Sequence, residues 1–238
     1  MREKTTHLFY RAVERALRTN GYLGGIPTLH FVPASQTNNP SVGGGAAAAG
    51  DWANKLKDAQ LPNIHALLDK DGRRTDNGAI KVLRSRYAIE NFILDPLSLA
   101  VALITDQRLV QIDSSLAKKF PQISSIFSAS TKDLQDLVEK ICTHIESRTS
   151  SLSTTAQINV NYLFGKTLNV PNWVCEERGK NLVGYVREAF KQIDSKYIIT
   201  RKDQGEYDLD LGYLLKLWSQ HPKFFPSELN VTLRLLHP

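Results

Sequence analysis

The chain has 238 residues, 42% hydrophobic and 23% charged, which suits a soluble globule with one large domain, or a core with a subdomain. Its apolar runs, such as "LSLAVALI", are too short to span a bilayer, and "MREKTTHLFYRAVERALR" has no apolar h-region, which excludes a secretory signal. The formal charge of +6 and pI of about 9.3 suit a polyanionic partner without requiring one.

Glu3 and Glu14 argue against a transit peptide. Without an export signal, Cys142 and Cys175 are expected as reduced thiols and the chain as intracellular, cytoplasmic or nuclear. Leu8, Val13, Ala16 and Leu17 predict one face of a first helix that stops at Gly21. "TLHFVPA" reads as a short strand. "SQTNNPSVGGGAAAAG" is a loop whose alanines begin a second helix running through "DWANKLKDA" to a break at Pro62. "NIHALLD" reads as a buried strand, "GRRTDNG" as a turn-rich loop and "AIKVLRSRY" as a third strand. This alternation predicts an α/β sheet, at least partly parallel, with right-handed crossovers.

After Tyr87 the pattern turns helical. "IENFILDPLSLAVALI" is expected as helix with a new start at Pro96. "TKDLQDLVEKICTHIES" has Leu134, Leu137, Val138, Ile141, Cys142 and Ile145 on one stripe, behind a cap-like Ser130 and Asp133. "QINVNYLFG" reads as a strand; "GKNLVGYVREAFKQI" and "LDLGYLLKLWSQH" read as helices, the second stopped near Pro222.

Several motifs fail on inspection. "GGGAAAAG" lacks the Gly-Lys-Ser/Thr of a phosphate loop, and the preceding strand lies too far upstream for a dinucleotide turn. "DKDGRRTDNGAI" is not a calcium loop, because Arg73, Arg74 and Ile80 stand where an oxygen ligand, Gly and Glu are needed. "LLDKDG" resembles the nucleophile motif of haloacid-dehalogenase phosphatases, and a phosphatase stays open as a distant third reading, weakened because Arg73 follows the Gly and "YDLDLG" is a poor second acidic pair.

Asp69 and Asp71 by themselves fit a solvated turn. They also fit a metal site. Carboxylates at i and i+2 leaving a strand point to one side and can share a hard divalent cation; without one they repel, and one takes up a proton.

Taken in order, "FVPAS", "GGG", "DWANKL", "ALLDKDGR", "VLRSRYAIENFILDP" and "GKNL" resemble the Toprim nuclease domain of the OLD (overcoming lysogenization defect) family and its AAA-ATPase-associated relatives, over residues 1–195. The resemblance implies a Rossmann-like Toprim sheet flanked by helices, with a mainly helical insert and C-terminal part: a core over 1–95, an insert over 96–155, and a C-terminal part over 156–238 that completes the core. It implies Mg²⁺- or Mn²⁺-dependent hydrolysis of DNA phosphodiesters. Asp69 and Asp71 match the metal pair and Glu90 a further ligand. Lys180 matches a phosphate-binding lysine and Glu3 the acid–base glutamate that normally ends the first strand. Such carboxylates hold ions that stabilise attacking and leaving oxygens, and a lysine adds charge where the transition state is most anionic. Arg73, Arg74, Arg84 and Arg86 would hold the phosphate backbone.

The chain departs from that pattern at its start. No strand fits before Glu3; Lys4 stands where Gly is expected and His7 where a second acid is expected. Upstream ATPase motifs are missing, so an ATPase domain or subunit would be supplied elsewhere. Three accounts stay open: an N-terminally truncated copy, a stand-alone divergent nuclease, or a Toprim-like module that binds nucleic acid or a partner without cutting. The oligomeric state is not legible.

Overall fold

The computed structural model describes residues 2–31, 46–61, 63–70, 76, 78–149, 152, 156–201 and 206–236, with the side chains of 2–6, 46–48, 201 and 206 outside the description. The described residues form a mixed α/β chain of eleven α-helices and three two-stranded sheets. They fall into two compact units, residues 1–89 with 228–238, and residues 90–227. No described helix is long and apolar enough to cross a membrane.

The first unit opens with α1 (Arg2–Thr19). Phe9, Val13, Ala16 and Leu17 are buried; at about 100° per residue they form one stripe. Leu8, expected on that face, is 56% exposed. It sits one residue, and therefore about 100°, from Phe9, the larger side chain that takes the core position. The helix stops where expected. Gly21 has φ +78°, with Tyr22 N–H bonded to Leu17 O at 2.9 Å and Gly21 N–H to Arg18 O at 3.0 Å, the Schellman arrangement.

The strand expected over "TLHFVPA" is not found at residues 28–31, and 32–34 lie outside the described residues. Just ahead of it the Arg18 guanidinium takes Ile26 O at 2.6 Å and Pro27 O at 2.8 Å. A side chain thus satisfies the two backbone carbonyls just before the expected strand.

The alanine run does begin α2 (Ala46–Asp58). Pro62, expected to break it, lies outside the described residues. The helix already turns off at Gln60, φ 61°, with Leu61 N–H to Leu56 O at 3.0 Å and Gln60 N–H to Lys57 O at 2.9 Å. β1 (Ala66–Leu68) and β2 (Ile80–Val82) pair in parallel, Ala66 opposite Ile80 and Leu68 opposite Val82. Small residues let α2 close onto this pair. Ala49 and Ala53 pack with Ala66, Leu68, Ala79 and Ile80, and a Cβ on Gly50 would stand 3.0 Å from Ile80 Cδ1.

The second unit is built around α4 (Pro96–Thr105), which follows the single turn α3 (Glu90–Ile93). Every residue of α4 from Pro96 to Ile104 is buried, as befits a helix apolar on all sides. Pro96 starts it as expected, with Asp95 as N-cap accepting from Leu97 N–H at 2.9 Å. Two short helices, α5 (Ser114–Lys119) and α6 (Ser124–Ser128), lead to α7 (Thr131–Glu146). All six residues of the expected α7 stripe are buried, and Ser130 Oγ accepts from Asp133 N–H at 3.1 Å.

β3 (Gln157–Asn161) and β4 (Thr167–Pro171) form an antiparallel hairpin. The Gln135 side chain of α7 donates to Asn169 O at 2.9 Å and accepts from Asn169 N–H at 2.8 Å. One amide thus closes the β4 edge as another strand would. α8 (Asn172–Glu176) and α9 (Gly179–Phe190) follow, then the antiparallel pair β5 (Ile198–Arg201) and β6 (Glu206–Leu209). β6 reaches one residue, Leu209, into the stretch expected as helix. α10 (Leu211–Ser219) begins only after it, because Asp210 accepts from Tyr213 N–H at 2.9 Å and sets the N-cap. α11 (Ser227–Arg234) returns to the first unit. The one parallel strand pair among the described residues is thus β1–β2.

Candidate functional site

In the first unit the expected metal pair sits at a strand end. β1 finishes at Leu68, whose carbonyl accepts from Leu83 N–H at 3.0 Å, and half-buried Asp69 leaves the ladder directly after it. Asp71, Arg73 and Arg74 lie outside the described residues. Asp76 folds back on β2, accepting from Val82 N–H at 2.8 Å and from the Arg84 guanidinium. Partial burial alone would raise its carboxyl; the Arg84 and Val82 hydrogen bonds, with the charges of Arg84 and Lys81, outweigh that and hold it below the usual carboxylate range.

Arg84 is therefore exposed but ion-paired. Arg86 is 1% exposed, so its guanidinium is not offered to solvent. The turn between them is held from the C-terminal segment. Glu228 Oε1 accepts from Arg84 N–H at 2.8 Å and Ser85 N–H at 2.7 Å, and its other oxygen accepts from Ser85 Oγ. Glu3 falls in the first turn of α1 and not at a strand end.

In the second unit, Glu90 opens α3 and its carboxylate lies against Gly179, the first residue of α9. An added Cβ on Gly179 would be 2.6 Å from Glu90 Oε2 and 2.9 Å from Cδ. Lys180, exposed, is the next residue. "IENF" and "GKNL", far apart in sequence, thus meet at one helix N-terminus, where a carboxylate is favourably placed against the helix dipole.

The neighbouring polar residues of the same motif are architectural. Buried Asn91 donates to Val174 O at 2.9 Å and Glu177 O at 3.0 Å, tying α3 to α8. Buried Asp95 caps α4 and accepts from Tyr162 Oη at 3.0 Å through both oxygens.

Among the described residues, no group of three or more His, Cys, Asp or Glu side chains is placed to hold a metal ion. Asp71 and the Glu3 side chain lie outside the described residues. Asp69 belongs to the first unit, Glu90 and Lys180 to the second.

One polar cluster had no local signature. At the end of α4, Asp106 accepts from Tyr197 Oη at 2.7 Å, Tyr213 Oη at 2.9 Å and Lys196 Nζ at 2.6 Å. Beside it Arg108 pairs with Asp194 at 2.8 Å. Burial and the hydrogen bond to Asp106 push the Tyr213 hydroxyl up to about 12, and push Tyr197 up as well. Both hydroxyls therefore stay protonated donors at neutral pH. The cluster is a closed latch between α4, α10 and the start of β5. Its partners are separated by about ninety residues or more, so no spacing rule finds it.

A groove of about 470 Å³ along α5 and α7 is lined by Asp113, Lys119, Asp136, Glu139 and Lys140. Its lysines pair with Asp133 and Asp113, and Asp136 and Glu139 are the acidic residues of the lining outside those two pairs. Family models, curated proteins and solved structures were all compared with this chain, and none matches.

Proposed function

We propose that the chain is a Toprim-type nuclease domain that hydrolyses DNA phosphodiesters with Mg²⁺ or Mn²⁺. The observation that supports it most is that the Glu90 carboxylate lies against Gly179 at the N-terminus of α9, one residue before Lys180. The acid of one motif thus lies against the segment that carries the lysine of another, and these are residue types that metal-assisted phosphoryl chemistry uses. Asp69, at the C-terminal end of a parallel strand, occupies the position where open α/β sheets present reactive groups.

In this reading Asp69, Asp71 and Glu90 hold the ion; their hard carboxylate oxygens suit Mg²⁺ or Mn²⁺. The ion polarises the phosphoryl group. Lys180 adds positive charge at the scissile phosphate, Glu3 moves protons, and Arg73, Arg74 and Arg84 hold the DNA backbone, buried Arg86 being left out of that role. An ATPase domain or subunit supplied elsewhere would complete the assembly.

A second reading is a Toprim-like module that binds DNA or a partner without cutting. It is favoured by Glu3 lying in a helix.

The test is plasmid cleavage with Mn²⁺ or Mg²⁺ by the wild-type chain, Asp69→Ala and Asp71→Ala. Cleavage lost in both variants supports the nuclease. Equal cleavage in all three removes it. Salt-sensitive DNA binding without cleavage establishes the binding module.

A further inference from the structure

The Arg84–Ser85 turn is bonded as an anion site. Two successive backbone N–H groups converge on one oxygen of Glu228, at 2.8 and 2.7 Å, and the Ser85 hydroxyl donates to the other oxygen. Consecutive amides aimed at one point form a nest, the backbone device that proteins use to hold phosphate. The turn follows β2 of a parallel pair, the end of an α/β sheet at which anionic ligands bind.

Lys81 and Arg84 add positive charge to this segment, and Asp76 takes the Arg84 guanidinium without touching the two amides. The present occupant comes from the far end of the chain: Glu228 lies in the first turn of α11. It supplies a carboxylate with two oxygens where a phosphate would supply up to four.

We propose that the Arg84–Ser85 turn is a phosphate-binding nest that Glu228 fills as an internal, displaceable plug. The ligand class is a tetrahedral phosphate, either a phosphodiester of a nucleic acid or a free phosphate. The site needs no metal and stands whether or not the chain cuts DNA. A nest filled by its own carboxylate nine-tenths of the time binds an external anion about tenfold more weakly than an empty one. Freeing it should therefore be visible as a gain in affinity.

The experiment uses the full chain in EDTA, with inorganic phosphate and a short oligothymidylate titrated separately into wild type, Glu228→Ala and Glu228→Gln. Backbone amide resonances are read by NMR. The expected result is movement of the Arg84 and Ser85 amides at about tenfold lower ligand concentration in Glu228→Ala than in wild type, reduced again when Ser85→Ala is added. Glu228→Gln, which keeps the side-chain length but not the charge, should fall between the two and serves alone if Glu228→Ala does not fold. Tighter binding of the oligonucleotide assigns the nest to a nucleic-acid backbone; equal or tighter binding of inorganic phosphate assigns it to a small phosphate. Neither ligand moving these amides in the variants, wild-type affinity in both variants, or equal movement of amides across the whole chain overturns the proposal.

Discussion

Gly179→Ala measures the contact between Glu90 and α9. The new Cβ would stand 2.6 Å from Glu90 Oε2, 2.9 Å from Cδ and 3.2 Å from Cβ, against an ordinary carbon contact of about 3.5–4.0 Å. The carboxylate must withdraw by about an ångström. The backbone of α3 cannot follow, because Asn91, Phe92 and Ile93 are fully buried, so the side chain has to leave its rotamer. That costs about 0.5–1.5 kcal/mol. Losing a carboxylate from a helix N-terminus costs about 0.3–1 kcal/mol more. Ala in place of Gly returns up to about 1 kcal/mol of helix propensity, less at the first position of a helix.

The single variant therefore sums opposing effects, and a double-mutant cycle separates them. In the Glu90→Ala background the two contacts under 3 Å are gone and only the 3.2 Å contact with the Cβ of position 90 stays, so Gly179→Ala should cost little or nothing. The coupling between the two substitutions should be about 1–2 kcal/mol. Urea unfolding of the four proteins reads it, using Trp173 and Trp218, both buried in the second unit. On the nuclease reading, Gly179→Ala and Glu90→Gln should both lower Mn²⁺-dependent cleavage. Additivity within about 0.5 kcal/mol would refute the contact, and with it the pairing of "IENF" with "GKNL".

Other elements give sharper tests of the fold. Asp106→Ala leaves fully buried Tyr197 with only Ala102 O, at 3.5 Å, as a neighbouring acceptor. The loss should be about 2–3 kcal/mol, and the ultraviolet titration of Tyr213 should fall from about 12 toward the ordinary value near 10; an unchanged titration would show that the latch does not form. Gln107 holds φ 56° at the end of α4, with Arg108 N–H on Leu103 O at 2.7 Å. Gln107→Gly should raise stability by about 0.5–1 kcal/mol in thermal melts, and a loss would contradict the left-handed cap. Acid should destabilise the chain in two stages. Burial depresses His144 and His221, so their contribution is present above about pH 6.5 and is lost as pH falls through their folded values. The depressed carboxyls of Asp76, Asp133, Glu188 and Asp194, and of Asp113, held near 2 by Ser115 Oγ and the Leu116 amide, contribute above about pH 4 and lose that contribution below it. A melting temperature constant from pH 7 to pH 3 would contradict both stages.

Where a local rule governs an element, the sequence already shows it. α7 is legible from its apolar stripe and Ser130, α4 from Pro96, and the end of α1 from Gly21, because propensity, cap and burial agree there. The misses arise where a distant group decides. Residues 26 and 27 give their carbonyls to Arg18. β6 depends on its register with β5. Arg84 and Arg86 look alike in "LRSRY", yet one is paired with Asp76 in solvent and the other is buried. The Glu228 contact joins residues more than 140 positions apart, and no window of sequence contains both ends.

The same distinction bears on what the Toprim resemblance is worth. Its most specific stretch is "YAIENFILDP". In the structure Ala88, Ile89, Phe92, Ile93 and Leu94 are buried apolar residues, Asn91 ties α3 to α8, and Asp95 caps α4 and receives Tyr162. Each of these would be needed by any protein that assembled α3, α4 and α8 in this way, whether or not it cleaved anything. Glu90 alone in that stretch combines an acidic side chain with partial exposure and a neighbouring lysine. Most of the motif therefore argues for an arrangement of helices, and its argument for chemistry passes through one carboxylate. Gly179 is what leaves room for that carboxylate beside Lys180, so the cycle between positions 90 and 179 probes the link between resemblance and reaction more directly than removing Asp69, which tests only whether the strand end matters.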